Sequence, residues 1–152
     1  HTGEYLSTLV AGNIHAGFLP VILFMLAGVM AFATGTSWGT FGIMLPIAAA
    51  MAVKVEPSLI IPCMSAVMAG AVFGDHCSPI SDTTILSSTG AHCNHIDHVT
   101  SQFPYALTVA ASAASGYLAL GMTGSAPLGF VVTGIVMVIL IFILKDKKKA
   151  TA

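Results

Sequence analysis

Charge is what this sequence has least of. Asp, Glu, Lys and Arg make up 7% of its 152 residues, against about a quarter in soluble domains, which excludes water as its main solvent. Fixed positive charge is scarcer still over most of the length. Lys54 stands alone, and Lys145, Lys147, Lys148 and Lys149 gather at the C-terminal end. A nucleic-acid partner needs a basic face, so that class is excluded. Cysteine is limited to Cys63, Cys77 and Cys93; an odd number without CxxC spacing offers neither a disulfide framework nor a four-cysteine zinc site, and three free thiols are expected. No phosphate-cradling Gly/Lys loop occurs, so this segment is not expected to drive any process with ATP. The first residue is His1, with no basic stretch, short apolar run and cleavage site ahead of the hydrophobic part. The sequence therefore reads as the C-terminal portion of a longer protein.

What is abundant is apolar sequence, 56% of the residues, with a mean hydropathy of +0.92. Crossing about 30 Å of hydrocarbon takes about 20 such residues as a helix. Pro104 to Met122 and Pro127 to Leu144 each carry no charge and are separated by the short turn 123–126, so 104–144 reads as a transmembrane hairpin. The lysines that follow place a basic tail, 145–152, in the cytoplasm by the positive-inside rule. The 123–126 turn is then outside and 92–103 is a cytoplasmic segment.

The first half is apolar without being continuous. Phe18 to Ala33 is interrupted by Thr34-Gly35-Thr36-Ser37-Trp38-Gly39-Thr40, and Phe41 to Val53 resumes. As one helix, 18–53 would reach about 54 Å, too long for a single crossing, so a re-entrant hairpin over 18–53 is expected after an extracytoplasmic lead-in, 1–17. Ser58 to Phe73 is followed by Gly74-Asp75-His76-Cys77-Ser78-Pro79-Ile80-Ser81-Asp82-Thr83-Thr84 and by Ile85 to Ala91. Pro79 removes a donor and disfavours helix at Ser78, so 58–91 reads as one discontinuous transmembrane helix. The fold class expected is an all-α polytopic membrane protein: re-entrant helical hairpin, discontinuous helix, then two transmembrane helices.

Irregular backbone at membrane depth survives only within protein or against a polar cavity, and a pair of interrupted apolar segments is the sequence sign of a transport site. Thr34, Thr36, Ser37 and Thr40 in one break, with Ser78, Ser81, Thr83 and Thr84 in the other, supply the hard oxygens with which an alkali cation replaces its water. Asp75 and Asp82 are the carboxylates of the two breaks. A buried carboxylate needs a counter-ion or a proton, so either Asp could hold Na+ and H+ in alternation. Trp38, between two apolar half-helices, is a candidate gate.

These two stretches, with His95-Ile96-Asp97-His98-Val99 and Pro104-Tyr105, resemble the NhaC family of sodium/proton antiporters over about residues 18–110. The resemblance implies a bacterial inner-membrane carrier that exchanges Na+ for H+ by alternating access, with these as transported ions and no cofactor. It further implies one inverted repeat of an ion-transporter-type fold, whose partner repeat lies in a missing N-terminal part. Some members of the family resemble exchangers of organic acids such as malate and lactate, which is the alternative cargo.

Three other readings stand beside this one. Gly70 and Gly74 have the spacing of a helix-contact motif, so small residues here could serve packing alone, in a non-transporting scaffold or a homodimer. His92, Cys93, His95, Asp97 and His98 have the composition of a metal site without standard zinc spacing. His76, His95 and His98 are candidate pH sensors, because imidazole titrates near neutrality. Membrane lipid surrounds the chain in every reading.

Overall fold

The computed structural model describes residues 15–150, with side chains described as far as Lys145. Residues 1–14 of the expected lead-in, 1–17, and the last two residues of the tail lie outside the described residues. Regular structure among the described residues is entirely helical: α1 (Leu19–Thr34), α2 (Ser37–Val55), α3 (Ile60–Cys77), α4 (Asp82–Gly90), α5 (His95–Thr123) and α6 (Ala126–Ala150), with 3₁₀ turns at Ala16–Phe18 and Pro57–Leu59. Among the described residues five stretches are long and apolar enough to cross a membrane: Ala16–Thr34, Ser37–Val55, Pro57–Cys77, His95–Thr123 and Ala126–Lys145. The chain has the build of a polytopic membrane protein.

Local chemistry sets the boundaries. Pro20 opens α1, and Gly35 closes it in the left-handed conformation (φ 66°), its N–H donating to the Ala31 carbonyl at 2.8 Å, as a C-terminal glycine does. The Thr36 side chain then accepts from the Gly39 N–H at 3.3 Å and caps α2. Only Gly35 and Thr36 separate the two helices, a shorter interruption than the seven residues expected. Helix α3 ends at Cys77, with Ser78 extended (φ −73°, ψ 133°) in front of Pro79. Asn94 starts α5, its Oδ1 accepting from the N–H groups of Ile96 and Asp97. That cap wins over the start expected at Pro104, which lies inside the helix, so most of the 92–103 segment is the opening of α5.

Helix α1 is central. It lies parallel to α3, and the two backbones touch: a Cβ at Gly70 would run into the Phe24 carbonyl, and one at Gly74 into the Gly28 carbonyl. Leu19, Leu23, Ala27 and Ala31 pack with Met44, Ala48, Met51 and Ala52 of α2 and with Cys63, Val67 and Ala71 of α3. On another face Phe24 meets Ala66 and Ala110, with Phe73 stacked on it and Tyr117 tilted against it. Helix α5 runs back antiparallel to α3, its Tyr117 hydroxyl donating to the Ser65 carbonyl and its Gln102 amide to the His76 carbonyl. Helix α6 packs on α5, where Gly116 faces Gly129 and Thr133. Its remaining face is apolar and exposed, with Phe130 at 84% and Phe142 at 62%; in lipid such a surface incurs no hydration cost.

Candidate functional site

Parallel packing of α1 on α3 carries both chain breaks to the same end of the bundle, where they touch. The Ser78 hydroxyl donates to the Phe32 carbonyl of α1 at 2.7 Å. A Cβ at Gly35 would stand 2.8 to 3.0 Å from the side chain and carbonyl of Ile80. Only glycine provides both the positive φ and the clearance at this contact.

The hydroxyls expected as cation ligands fall into three groups. Thr40, Ser78, Ser81 and Thr84 are buried; Thr36 and Ser37 are half-buried, and Thr34 and Thr83 are exposed. Thr40 donates to the Thr36 carbonyl at 2.9 Å, Thr84 to the His76 carbonyl at 3.2 Å, and Thr34 to the Met30 carbonyl at 2.9 Å. Ser81 and Thr83 share a hydrogen bond of 2.8 Å. A hydroxyl that donates its proton to a carbonyl keeps oxygen lone pairs, which is the state a cation ligand requires.

The two carboxylates have different surroundings. Asp75 is in the last turn of α3 and 8% exposed, and its Oδ1 is buried without a hydrogen-bond partner among the described residues. The end of a helix carries the partial negative charge of its free carbonyls. An ionised carboxylate buried there is costly unless a cation or proton compensates it. Asp82, by contrast, is exposed in the first turn of α4, its Oδ1 accepting from the Thr83 N–H at 2.7 Å. A helix start favours negative charge, so Asp82 is satisfied where it stands.

Trp38 is not gathered to this junction: it is 82% exposed and meets Phe41 edge-on at 5.8 Å. The cluster of His92, Cys93, His95, Asp97 and His98 does not assemble a metal site, and no group of three or more His, Cys, Asp or Glu suited to a metal occurs among the described residues. His92 takes a left-handed conformation (φ 53°) in the link to α5. His95 turns to the break instead, its Nε2 2.7 Å from the Pro79 carbonyl and its Nδ1 3.1 Å from the Ser88 hydroxyl. His76 is exposed and His98 half-buried. Sequence reasoning missed the tie from His95 to Pro79 and that from Gln102 to the His76 carbonyl. The only signal for either was the position of polar residues ahead of Pro104.

Beside the junction an open cleft of about 880 Å³ separates α3 from α5. Val72, Phe73, Val109 and Ala110 line it, with His76, Gln102 and Tyr105 among its few polar neighbours. Such walls suit acyl chains or another apolar helix better than a dicarboxylate.

Residues 1–122 match the model of the Na+/H+ antiporter family. An uncharacterized protein of Haemophilus influenzae is 65% identical over 146 residues, which are 96% of this chain and 28% of that protein. The malate-2H(+)/Na(+)-lactate antiporter of Bacillus subtilis is 35% identical over 89 residues, 57% of this chain and 18% of that one. An uncharacterized Na(+)/H(+) antiporter of Haemophilus influenzae is 35% identical over 82 residues, 54% and 17% respectively. The chain thus spans less than a third of the length of each of these relatives. No solved structure matches it.

Proposed function

This chain belongs to the Na+/H+ antiporter family, and on that footing we propose that it is the part of a secondary carrier that holds a site for Na+ or H+ at the junction of its two helix breaks. The observation that carries the reading is Asp75, a buried carboxylate with an unpartnered oxygen at the end of an interrupted helix. From Ile60, where α3 begins, Asp75 is about 22 Å along the helix axis, within a hydrocarbon core about 30 Å thick. A proton or a sodium ion each neutralises the carboxylate, so the two compete for one place. Competition at one site, exposed in turn to the two sides, is sufficient for exchange.

The buried hydroxyls of Thr40, Ser78 and Thr84 at the two breaks are the oxygens this reading adds to Asp75, and Asp82 serves the start of α4. Whatever depth the second break occupies, the tip at Gly35-Thr36 shares it, because the two touch. A break at membrane depth therefore makes α1 and α2 a re-entrant pair. The carrier works in the bacterial inner membrane with the end of α6 in the cytoplasm, in the sense set by the lysine run, and a repeat elsewhere in the polypeptide completes the site.

Sodium-dependent proton movement in inverted membrane vesicles tests the assignment in the full-length protein. Asp75→Asn is expected to abolish exchange and Asp82→Asn to retain most of it. Full exchange by Asp75→Asn would remove the proposal. One observation favours a second cargo: the relative named as a malate-2H(+)/Na(+)-lactate antiporter. In that version the cation site is unchanged and an organic acid binds elsewhere in the carrier. Proton movement that requires malate or lactate as well as Na+ would select it.

A further inference from the structure

Pro79 is followed by two residues of non-helical chain before α4, and a carbonyl in such a break has no partner from a helix ladder. In an apolar surrounding a carbonyl left in this way is costly. The partner comes from 16 residues further on: His95, the first residue of α5, places Nε2 2.7 Å from the Pro79 oxygen. A carbonyl only accepts, so Nε2 carries the proton and donates. On its other side Nδ1 is 3.1 Å from the Ser88 hydroxyl of α4, which is also 2.9 Å from the Ile85 carbonyl. With Nδ1 bare, Ser88 donates to it; with Nδ1 protonated, Ser88 accepts from it and donates to Ile85. The bond to Pro79 persists in both states.

We infer that His95 is the positioning residue of the ion site, a latch that fixes the unwound segment 78–81 between α4 and α5. It acts through Pro79 rather than by touching the ion. The latch has counterparts around it. Gln102 and Thr84 both donate to the His76 carbonyl, and Ser78 ties the same segment to α1. Of these ties, His95 alone joins the break to the start of a transmembrane helix that leads directly to α6. The Asn94 cap holds that start in place, with Oδ1 2.9 Å from the Ile96 nitrogen. Movement of α5 is thereby transmitted to the backbone beside Asp75. The inference rests on the break being the ion site, and the experiment separates the two.

Three variants in the full-length protein, His95→Ala, His95→Asn and His95→Gln, are compared in a background carrying Cys63→Ala and Cys93→Ser, which leaves Cys77 as the thiol of this segment. Cys77 is 2% exposed beside the break, so its thiol is reached when the break opens and its rate of labelling reports how firmly the break is held. Gln places an amide N–H where Nε2 stands, whereas Asn reaches only the position of Nδ1. Losing the Pro79 bond is expected to speed labelling roughly fivefold in the Ala and Asn variants, as for one net hydrogen bond. His95→Gln stays within about twofold of its parent on the same scale. The apparent KM for Na+ rises in the same two variants while kcat is largely kept, and Gln restores it. If His95→Ala fails to accumulate in the membrane, the contrast between Asn and Gln decides alone. Equal labelling in all variants, or a Gln variant that behaves like Asn, overturns the latch. A parent without sodium dependence whose labelling still separates Asn from Gln removes the ion-site reading and leaves the latch standing.

Discussion

A carboxylate in the last turn of one helix and another in the first turn of the next meet opposite ends of two backbone dipoles. Asp75 meets carbonyls and burial, whereas Asp82 meets N–H groups and solvent. Removing charge at Asp82 is expected to cost only the helix-start term, about 0.5 kcal/mol, visible as a small drop in thermal midpoint in detergent with exchange retained. At Asp75 the Asn variant removes the buried carboxyl group proposed to take up the proton, so the loss is expected in exchange and not in stability. Gly35 is a second single-residue test. Ala at this position must adopt a left-handed φ and push against Ile80, for a cost of about 1 to 2 kcal/mol. Its thermal midpoint is expected to fall, and labelling of Cys77 to rise, because the lost contact is the one between the two breaks.

At the scale of elements, the contact of α1 with α3 decides whether the breaks meet. Gly70→Ala and Gly74→Ala each add a methyl against a backbone carbonyl of α1, and overpacking of this kind costs typically about 1 to 3 kcal/mol. Both should lower the thermal midpoint, and Gly74→Ala, one turn below Ser78, should also slow exchange. The helix-contact reading of these glycines and the ion-site reading of the breaks are thus compatible, since close packing is what brings Ser78 to the Phe32 carbonyl.

How much of this was legible in the sequence depends on the residue. Pro79 and Gly35 announced where the chain must leave the helix, because their backbone limits are local. The run Thr34 to Thr40 suggested a longer break than exists. Thr34 and Thr40 satisfy their hydroxyls on the carbonyl four residues back, so in apolar surroundings they stay helical. Pro104 suggested a start that the Asn94 cap supplies earlier, since a proline in mid-helix is tolerated when neighbouring packing compensates for the lost bond. The candidate site was legible as a list of oxygens and not as an arrangement. Which carboxylate is buried, and that His95 serves Pro79, follow from contacts between residues far apart in sequence.

At the scale of the whole molecule, α6 and the outer faces of α2 and α5 present apolar surface that the described residues leave exposed, while the chain spans 28% or less of the relatives' lengths. Lipid and further polypeptide are the occupants that fit. The proposed orientation predicts that a cysteine at Ser125, in the turn before α6, labels with impermeant reagent added to intact cells. One at Thr151 should label only after the membrane is opened, and the reverse pattern would invert the topology. The central claim concerns Asp75, and it is tested most directly by a carbodiimide, which modifies protonated carboxyl groups in apolar surroundings. In membranes containing the full-length protein, the account predicts that Asp75 is modified, that Na+ protects it in a concentration-dependent way, and that Asp82 shows no such protection. Modification of Asp75 that is indifferent to Na+, or confined to Asp82, would contradict it.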